Sequence, residues 1–565
     1  MVRRILNLLN WEISGLHEAA FLLGLSAFSS QILALFRDRL LAGTFGAGRE
    51  LDIYYASFRI PDLLFISVGS FLAVTVIIPL LISKIEESEK DGIEKARMFL
   101  SEIMTVFSFV MVVFCLVIYF SLPYISEWIV PGFDIESKNI MVEMSRILLL
   151  SPFFLGLSNL LGSVTQSFRK FFVYALSPVF YNIGIISGIL FFYPNYGLKG
   201  LAYGVAFGAF MHFAIQLPVV LKIGMFPFFT SNINWKELKS VFLLSLPRTL
   251  ALGSNQLAVM FLLALGSFMK PGSISIFNFS YNLQSVPLAI IGVSYSVAAL
   301  PEMSRIFSRK KIEEFVSYVE NALSHILFWS VPVTVLFLVL RAQIVRTILG
   351  SGRFDWNDTR LTIAALAIFS FSVIAQNLIQ LLDRVYYATG NTRKPVITKI
   401  ISSLIIMITG QIMVLSYNSS EIFKNALEFI FRVEGVNGTE ILMLPLAFSL
   451  GTLFNLFALY LLFSYDFNSA SHKINKTLVH SSIASVALGI VSYILLKTMP
   501  LFFVINTLPL IFLQGLLAGI GGIITAFFVL KLFKSRELFE ISRSFKQKFW
   551  KTETIIPGPE EADIQ

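Results

Sequence analysis

Long apolar runs recur along the whole chain, separated by short polar loops and by clusters of glycine and proline. Segments such as Met104–Phe120 and Phe502–Leu530 are almost continuously apolar. A membrane-crossing strand needs only about 9–11 alternating residues, whereas a helix needs about 20 apolar ones. In lipid every backbone group must be bonded within its own segment, so runs of this length predict helices. Cutting at the polar breaks gives fourteen spans, at approximately 17–45, 51–83, 97–121, 139–166, 171–193, 199–221, 239–268, 273–302, 316–340, 360–388, 395–417, 440–465, 475–498 and 503–533. Pro61, Pro247 and Pro287 fall inside spans, where a missing backbone donor predicts kinks. The stretch 417–440 reads as a short amphipathic helix outside the membrane.

Composition turns this pattern into a class. Of 565 residues, 56% are apolar and 14% charged, against ~25% charged in soluble domains. The expected fold is an all-α polytopic membrane protein. A lone cysteine, Cys115, excludes a disulfide framework. Residues 1–20 carry Arg3 and Arg4 without a small-residue cleavage site, and read as a retained amphipathic lead-in. With the N-terminus inside, 28 of the 44 basic residues fall in cytoplasmic segments. That asymmetry predicts both termini inside and an even number of spans. The net charge of +9 is then the positive-inside signature, with no nucleic-acid partner implied.

Five basic residues remain within spans: Arg37, Arg39, Arg59, Arg146 and Arg248. A charge at mid-bilayer costs at least ~2.5–3.5 kcal/mol, so such groups face a cavity or a partner. Concentrated in the first six helices, they predict a cationic cavity suited to an anion, since arginine forks match phosphate oxygens. Local pairing is the plainer alternative, and Arg59 and Asp62 have the spacing for it. Adjacent helix positions point about 100° apart, so Asp38 is expected not to satisfy Arg37. A faint repeat relates Ala42-Gly43-Thr44-Phe45 and Tyr54–Ile60 to Leu265-Gly266-Ser267-Phe268 and Phe277–Leu283 at a constant offset. It divides the chain into lobes at 1–225 and 226–466, two additional helices at 467–534 and a basic cytoplasmic tail at 535–565. Such repeats are the usual build of alternating-access transporters.

Enzyme chemistry has no foothold. The five histidines share no ligand spacing, and no HExxH, paired CxxC, nucleotide-binding loop or nucleophile elbow is present. No cofactor is expected, and a passive or ion-coupled carrier is. A coupling cation or the membrane potential would reset it, with Asn377 and Asp383, six apart, as weak candidates for a cation site.

Phe36-Arg37-Asp38-Arg39-Leu40-Leu41-Ala42-Gly43-Thr44-Phe45-Gly46-Ala47-Gly48, continuing Leu51–Leu64, resembles the first two helices of the MurJ/MviN family of lipid II flippases in the MOP exporter superfamily. Asp383-Arg384-Val385-Tyr386-Tyr387-Ala388-Thr389-Gly390-Asn391-Thr392-Arg393-Lys394-Pro395 is similar to that family's segment after the tenth helix. The resemblance implies fourteen helices in two six-helix lobes around a central cavity, plus two C-terminal helices. It also implies translocation of lipid II, an undecaprenyl diphosphate carrying a disaccharide-pentapeptide, to the outer leaflet for cell-wall synthesis. Proteins of cell-wall synthesis are then conceivable partners. Carried over by position, the substrate-binding residues are Arg37, Asp38, Asp52 and Arg59, where arginine replaces the family's lysine; Arg248 is a further candidate. Gln31, Phe65 and Ile66 stand where the family often has basic residues, and Tyr281, Asn282 and Ser285 replace an Asp-Arg pair and a later Glu. Those departures leave two alternatives open: an exporter of another lipid-linked oligosaccharide or amphiphile, or a non-transporting membrane scaffold.

Overall fold

The structure, a computed structural model, describes residues 16–72, 74–87, 91–468, 472–502, 504 and 507–549. The lead-in at 1–15 and the tail beyond 549 lie outside the described residues. So do some side chains within helices, that of Arg248 among them.

The described residues are helical, with no strand among them. Helix α1 spans Leu16–Phe45. Helix α2 runs in pieces, Arg49–Ser57, Arg59–Val68 and Val74–Glu86, joined in part by a tight turn at Gly69–Leu72. There follow α3 (Gly92–Ile129), α4 (Ile135–Ser167), α5 (Phe171–Tyr196), α6 (Leu198–Ile223), α7 (Trp235–Ser267), α8 (Ser273–Ser308), α9 (Ile312–Ile348), α10 (Trp356–Ala388), α11 (Arg393–Ser419) and α12 (Thr439–Phe467). Helices α13 (His472–Phe502), α14 (Leu508–Leu532) and α15 (Arg536–Phe549) complete the chain. Among the described residues, twelve helices are long and apolar enough to cross a membrane, α3 to α14. Helix α1 has 30 residues, enough length at 1.5 Å per residue, and the broken α2 makes the fourteenth element.

The proline expectations resolve locally. Pro61 follows the break at Phe58 in α2, and Pro287 leads into a π-turn at Leu288–Val293 in α8. A loop helix at Glu421–Phe431 lies within the stretch expected to hold one.

Neighbour relations repeat with a step of six helices. Helix α1 packs on α5, α5 on α6 and α2 on α4; likewise α7 packs on α11, α11 on α12 and α8 on α10. One apolar core runs through both sets, and α13 and α14 lean together on α9. The α5–α6 contact is as close as backbones allow: a Cβ on Gly184 would stand 2.2 Å from Gly208 Cα. In lipid, where apolar surface gains little by leaving its solvent, such small-residue seams hold helices together.

Candidate functional site

The lobes are joined by a run of hydrogen bonds at the end of the molecule where α1 turns into α2. There Asp52 lies 1% exposed, with its carboxylate on the N-terminus of α8. It accepts from Gly272 N at 2.6 Å, Ser275 N at 2.8 Å and Ser275 Oγ at 2.7 Å. A helix N-terminus presents unbonded N–H groups and a partial positive charge, so a buried carboxylate is well placed there. Asp52 and Ser275 stand 223 positions apart, the offset of the faint repeat. Residues related by the repeat touch, as they must beside a pseudo-two-fold axis.

Three further contacts close this end. Asp358 belongs to the capping box that starts α10, and its Oδ2 also accepts from Ala47 N at 2.9 Å. Arg353 N donates to Gly43 O at 2.9 Å. Arg39 donates to Thr347 O at 2.7 Å, at the C-terminus of α9, where cations are favoured. At the opposite end Lys84 of α2 pairs with Glu237 of α7 at 2.7 Å. Among the described residues, the hydrogen bonds that tie α1 and the turn after it to the second lobe run from Asp38 to Ala47. Earlier in α1, Ser26 and Ser30 bond α5 of their own lobe instead.

Between these ends lies a buried polar chain. Arg37 donates through Nε and Nη2 to Asp38 Oδ1, at 3.0 and 2.7 Å, and through Nη1 to Asn182 Oδ1 of α5 at 3.3 Å. The expectation that Asp38 is unable to satisfy Arg37 is therefore wrong. The two Cβ atoms diverge, but the long arginine stem folds its guanidinium back onto the neighbouring carboxylate. Asp38 Oδ2 accepts from Asn282 Nδ2 of α8 at 3.0 Å, so the chain crosses from lobe to lobe. Beside it, Arg59 Nη2 donates to Asn278 Oδ1 at 2.6 Å, again across the seam. Asn278 is oriented by donating to Ile274 O at 2.7 Å. Arg59 is 8% exposed, and its Nε has no hydrogen-bond partner. The Arg37 side chain is 20% exposed.

Arg37 and Asp38 are thus bonded to each other, and Asp38 and Arg59 each reach an asparagine of α8, Asn282 and Asn278. Asp52 does not join them, because its carboxylate is fully engaged on α8. Arg146 stands apart, donating to Tyr119 O at 3.1 Å with its guanidinium 4.5 Å from the Tyr119 ring. The side chain of Arg248 is outside the described residues. The pattern alone did not single out Asn182 and Asn278 as partners. Asn282, read as the loss of a charge, is instead the amide that joins Asp38 to the second lobe.

The pair offered as a cation site separates. Asn377 Oδ1 accepts from Gly292 N at 3.0 Å and its Nδ2 donates to Ser330 Oγ at 2.9 Å, bracing the π-turn of α8. Asp383 faces a cavity of about 180 Å³ within the second lobe and pairs with Lys399 Nζ at 2.5 Å. An ammonium of the chain already stands at that carboxylate. Among the described residues, no group of three or more His, Cys, Asp or Glu side chains is arranged to hold a metal.

Against this geometry, a family model described as "Lipid II flippase MurJ" matches residues 41–513. The chain belongs to the MurJ family of lipid II flippases. A probable lipid II flippase MurJ of Rhizobium tropici is 28% identical over 66% of this chain and 70% of its own length. The lipid II flippase MurJ of Burkholderia cenocepacia is 25% identical over 66% and 74%. Among solved structures, a lipid II flippase MurJ in an inward closed conformation superposes with a TM-score of 0.70, at 24% identity over 91% of this chain and 98% of that one. An inward-facing multidrug resistance MATE transporter of the MOP superfamily superposes at 0.61, with 15% identity over 78% and 94%. Membership makes this multi-pass membrane protein a lipid II flippase.

Proposed function

We propose that the Arg37–Arg59 cluster receives the diphosphate of lipid II while the α1–α2 end is sealed, and that binding there loosens the lobes. One observation carries this reading: the Arg37–Asp38–Asn282 chain makes a substrate-sized charge and an interlobe bond share one carboxylate. A phosphate oxygen competes with Asp38 for the Arg37 fork, and a freed Asp38 no longer holds Asn282 in place. Arg59 offers a second cation and an Nε–H without a partner, which a phosphate oxygen satisfies. Charge-assisted bonds of this kind contribute ~1.5–3 kcal/mol each. Exchange at the cluster therefore shifts an equilibrium of a few kcal/mol between lobe arrangements.

In this reading both termini lie in the cytoplasm and the sealed end faces outward. Membrane potential resets the carrier, since one charge crossing 100 mV is worth ~2.3 kcal/mol. The test is lipid II translocation by vesicle-reconstituted protein, for the wild type and for Arg37→Ala, with and without an imposed potential. Slowed flipping in the variant, and flipping that responds to potential in the wild type, support the reading. A variant as fast as the wild type overturns the diphosphate site, and indifference to potential overturns the coupling.

A further inference from the structure

A second polar cavity, of about 220 Å³, lies far along the chain from the arginine cluster, where α9, α13 and the start of α15 converge. Helix α15 is strongly amphipathic in sequence, and its Leu538 and Ile541 pack on a small core built around Phe328, Ala484 and Leu488. Polar bonds add to this docking. Glu537 accepts from the hydroxyls of Thr477 and Ser535. Glu540 accepts from Arg536 Nε at 2.6 Å and faces His325 Nε2 at 3.0 Å.

These bonds use up the carboxylates and Arg536, and two cations on the cavity wall remain. The side-chain ammonium groups of Lys476, from α13, and Lys534, from the turn between α14 and α15, have no ion pair or hydrogen bond among the described residues. A third wall group points the same way. Ser324 of α9 is 4% exposed, and its hydroxyl has no hydrogen-bond partner. A buried hydroxyl left unbonded carries its full desolvation penalty, which a ligand acceptor removes. Two lysines from separate elements and an unsatisfied buried donor around one partly open cavity define an anion site. Basic pockets of this kind between helices, on the face that carries the basic excess, suit anionic lipid head groups.

We propose that this cavity binds a phosphate-bearing anion, with Lys476 and Lys534 supplying the countercharge and Ser324 a hydrogen bond, and that occupancy fastens α15 to α9 and α13. The site is independent of the flipping mechanism, because none of its residues belongs to the arginine cluster. Two sources share the chemistry, the head group of an anionic phospholipid and free phosphate.

The experiment follows the thermal unfolding midpoint of the full-length protein in neutral detergent. One arm adds phosphatidylglycerol against phosphatidylcholine; the other adds inorganic phosphate against chloride at equal ionic strength. Phosphatidylglycerol is expected to raise the wild-type midpoint, and a rise with phosphate as well identifies a site open to the soluble anion. Lys476→Gln/Lys534→Gln should lose most of the rise, Lys476→Arg/Lys534→Arg should keep it, and Ser324→Ala should reduce it. Both lysines are exposed, so the substitutions leave the core untouched. A charge-matched control, Lys222→Gln/Lys310→Gln, should respond as the wild type does. The proposal is overturned if neither anion moves the wild-type midpoint, if the Lys476/Lys534 glutamine variant responds in full, or if the control loses the response equally.

Discussion

At the scale of single residues, the cluster separates groups that share a charge but differ in surroundings. Arg37 has two protein partners and a partly exposed guanidinium, whereas Arg59 is buried with one N–H unpaired. Arg37→Lys should recover little of what Arg37→Ala loses, because a point charge cannot span Asp38 and a phosphate as a fork does. Arg59→Lys should be tolerated, since it removes the unpaired Nε and keeps the charge opposite Asn278. Complementation of a flippase-depleted strain separates these outcomes. A functional Arg37→Lys beside a dead Arg59→Lys would reverse the assigned roles. Asn278→Ala leaves Arg59 with no bond across the seam and should cost ~1–3 kcal/mol, read as a lowered unfolding midpoint.

At the scale of elements, the junctions carry the account. Asp52→Asn keeps the shape at the start of α8 but removes the charge and sets an N–H against donors. Loss of those bonds should weaken the sealed end by ~2–4 kcal/mol. Cysteine cross-linking between the α1–α2 and α7–α8 turns should fall correspondingly, and unchanged cross-linking would contradict the latch. Gly272→Ala acts at the same junction. Gly272 has φ +97°, and an added Cβ would stand 2.0 Å from Ala47 O, so the seal should open there too.

Docking of α15 should depend on pH. Burial raises the Glu537 carboxyl, but hydrogen bonds from Thr477 and Ser535, with His325 nearby, outweigh it and hold the group below the ordinary glutamate range. A carboxylate depressed in the folded state stabilises above its unfolded value, and that contribution is lost as pH falls through the lower folded one. Proteolysis between α14 and α15 should therefore be slow at neutral pH and speed up in acid, with Glu537→Gln fast throughout. An equal rate for both at neutral pH would remove Glu537 from the docking.

At the scale of the whole molecule, the helices were legible because each had to satisfy its own backbone and present about 20 apolar residues to lipid. The partners of the charges were not. That Arg37 meets Asp38 depends on how a long side chain bends, and that Asp38 meets Asn282 depends on how two lobes pack. The constant offset of the repeat did hold the information that brings Asp52 to Ser275, once a pseudo-two-fold axis is assumed. Asn377 and Asp383 failed as a pair because spacing along α10 takes no account of α8, α9 and α11, whose groups reach them first. Topology is a separate prediction at this scale: tags at either terminus or at Lys310 should report from the cytoplasm, and one near Asn418 from outside. A terminus found outside would invert the molecule in the membrane.

The most direct measurement of the central claim is the rate at which purified Arg37→Ala, reconstituted at wild-type density, moves lipid II between vesicle leaflets. Losing one charge-assisted fork to the diphosphate should weaken binding about tenfold or more, so flipping at sub-saturating lipid II should fall by a similar factor. Wild-type flipping by a correctly inserted Arg37→Ala protein would show that the arginine cluster is not where this flippase holds its substrate.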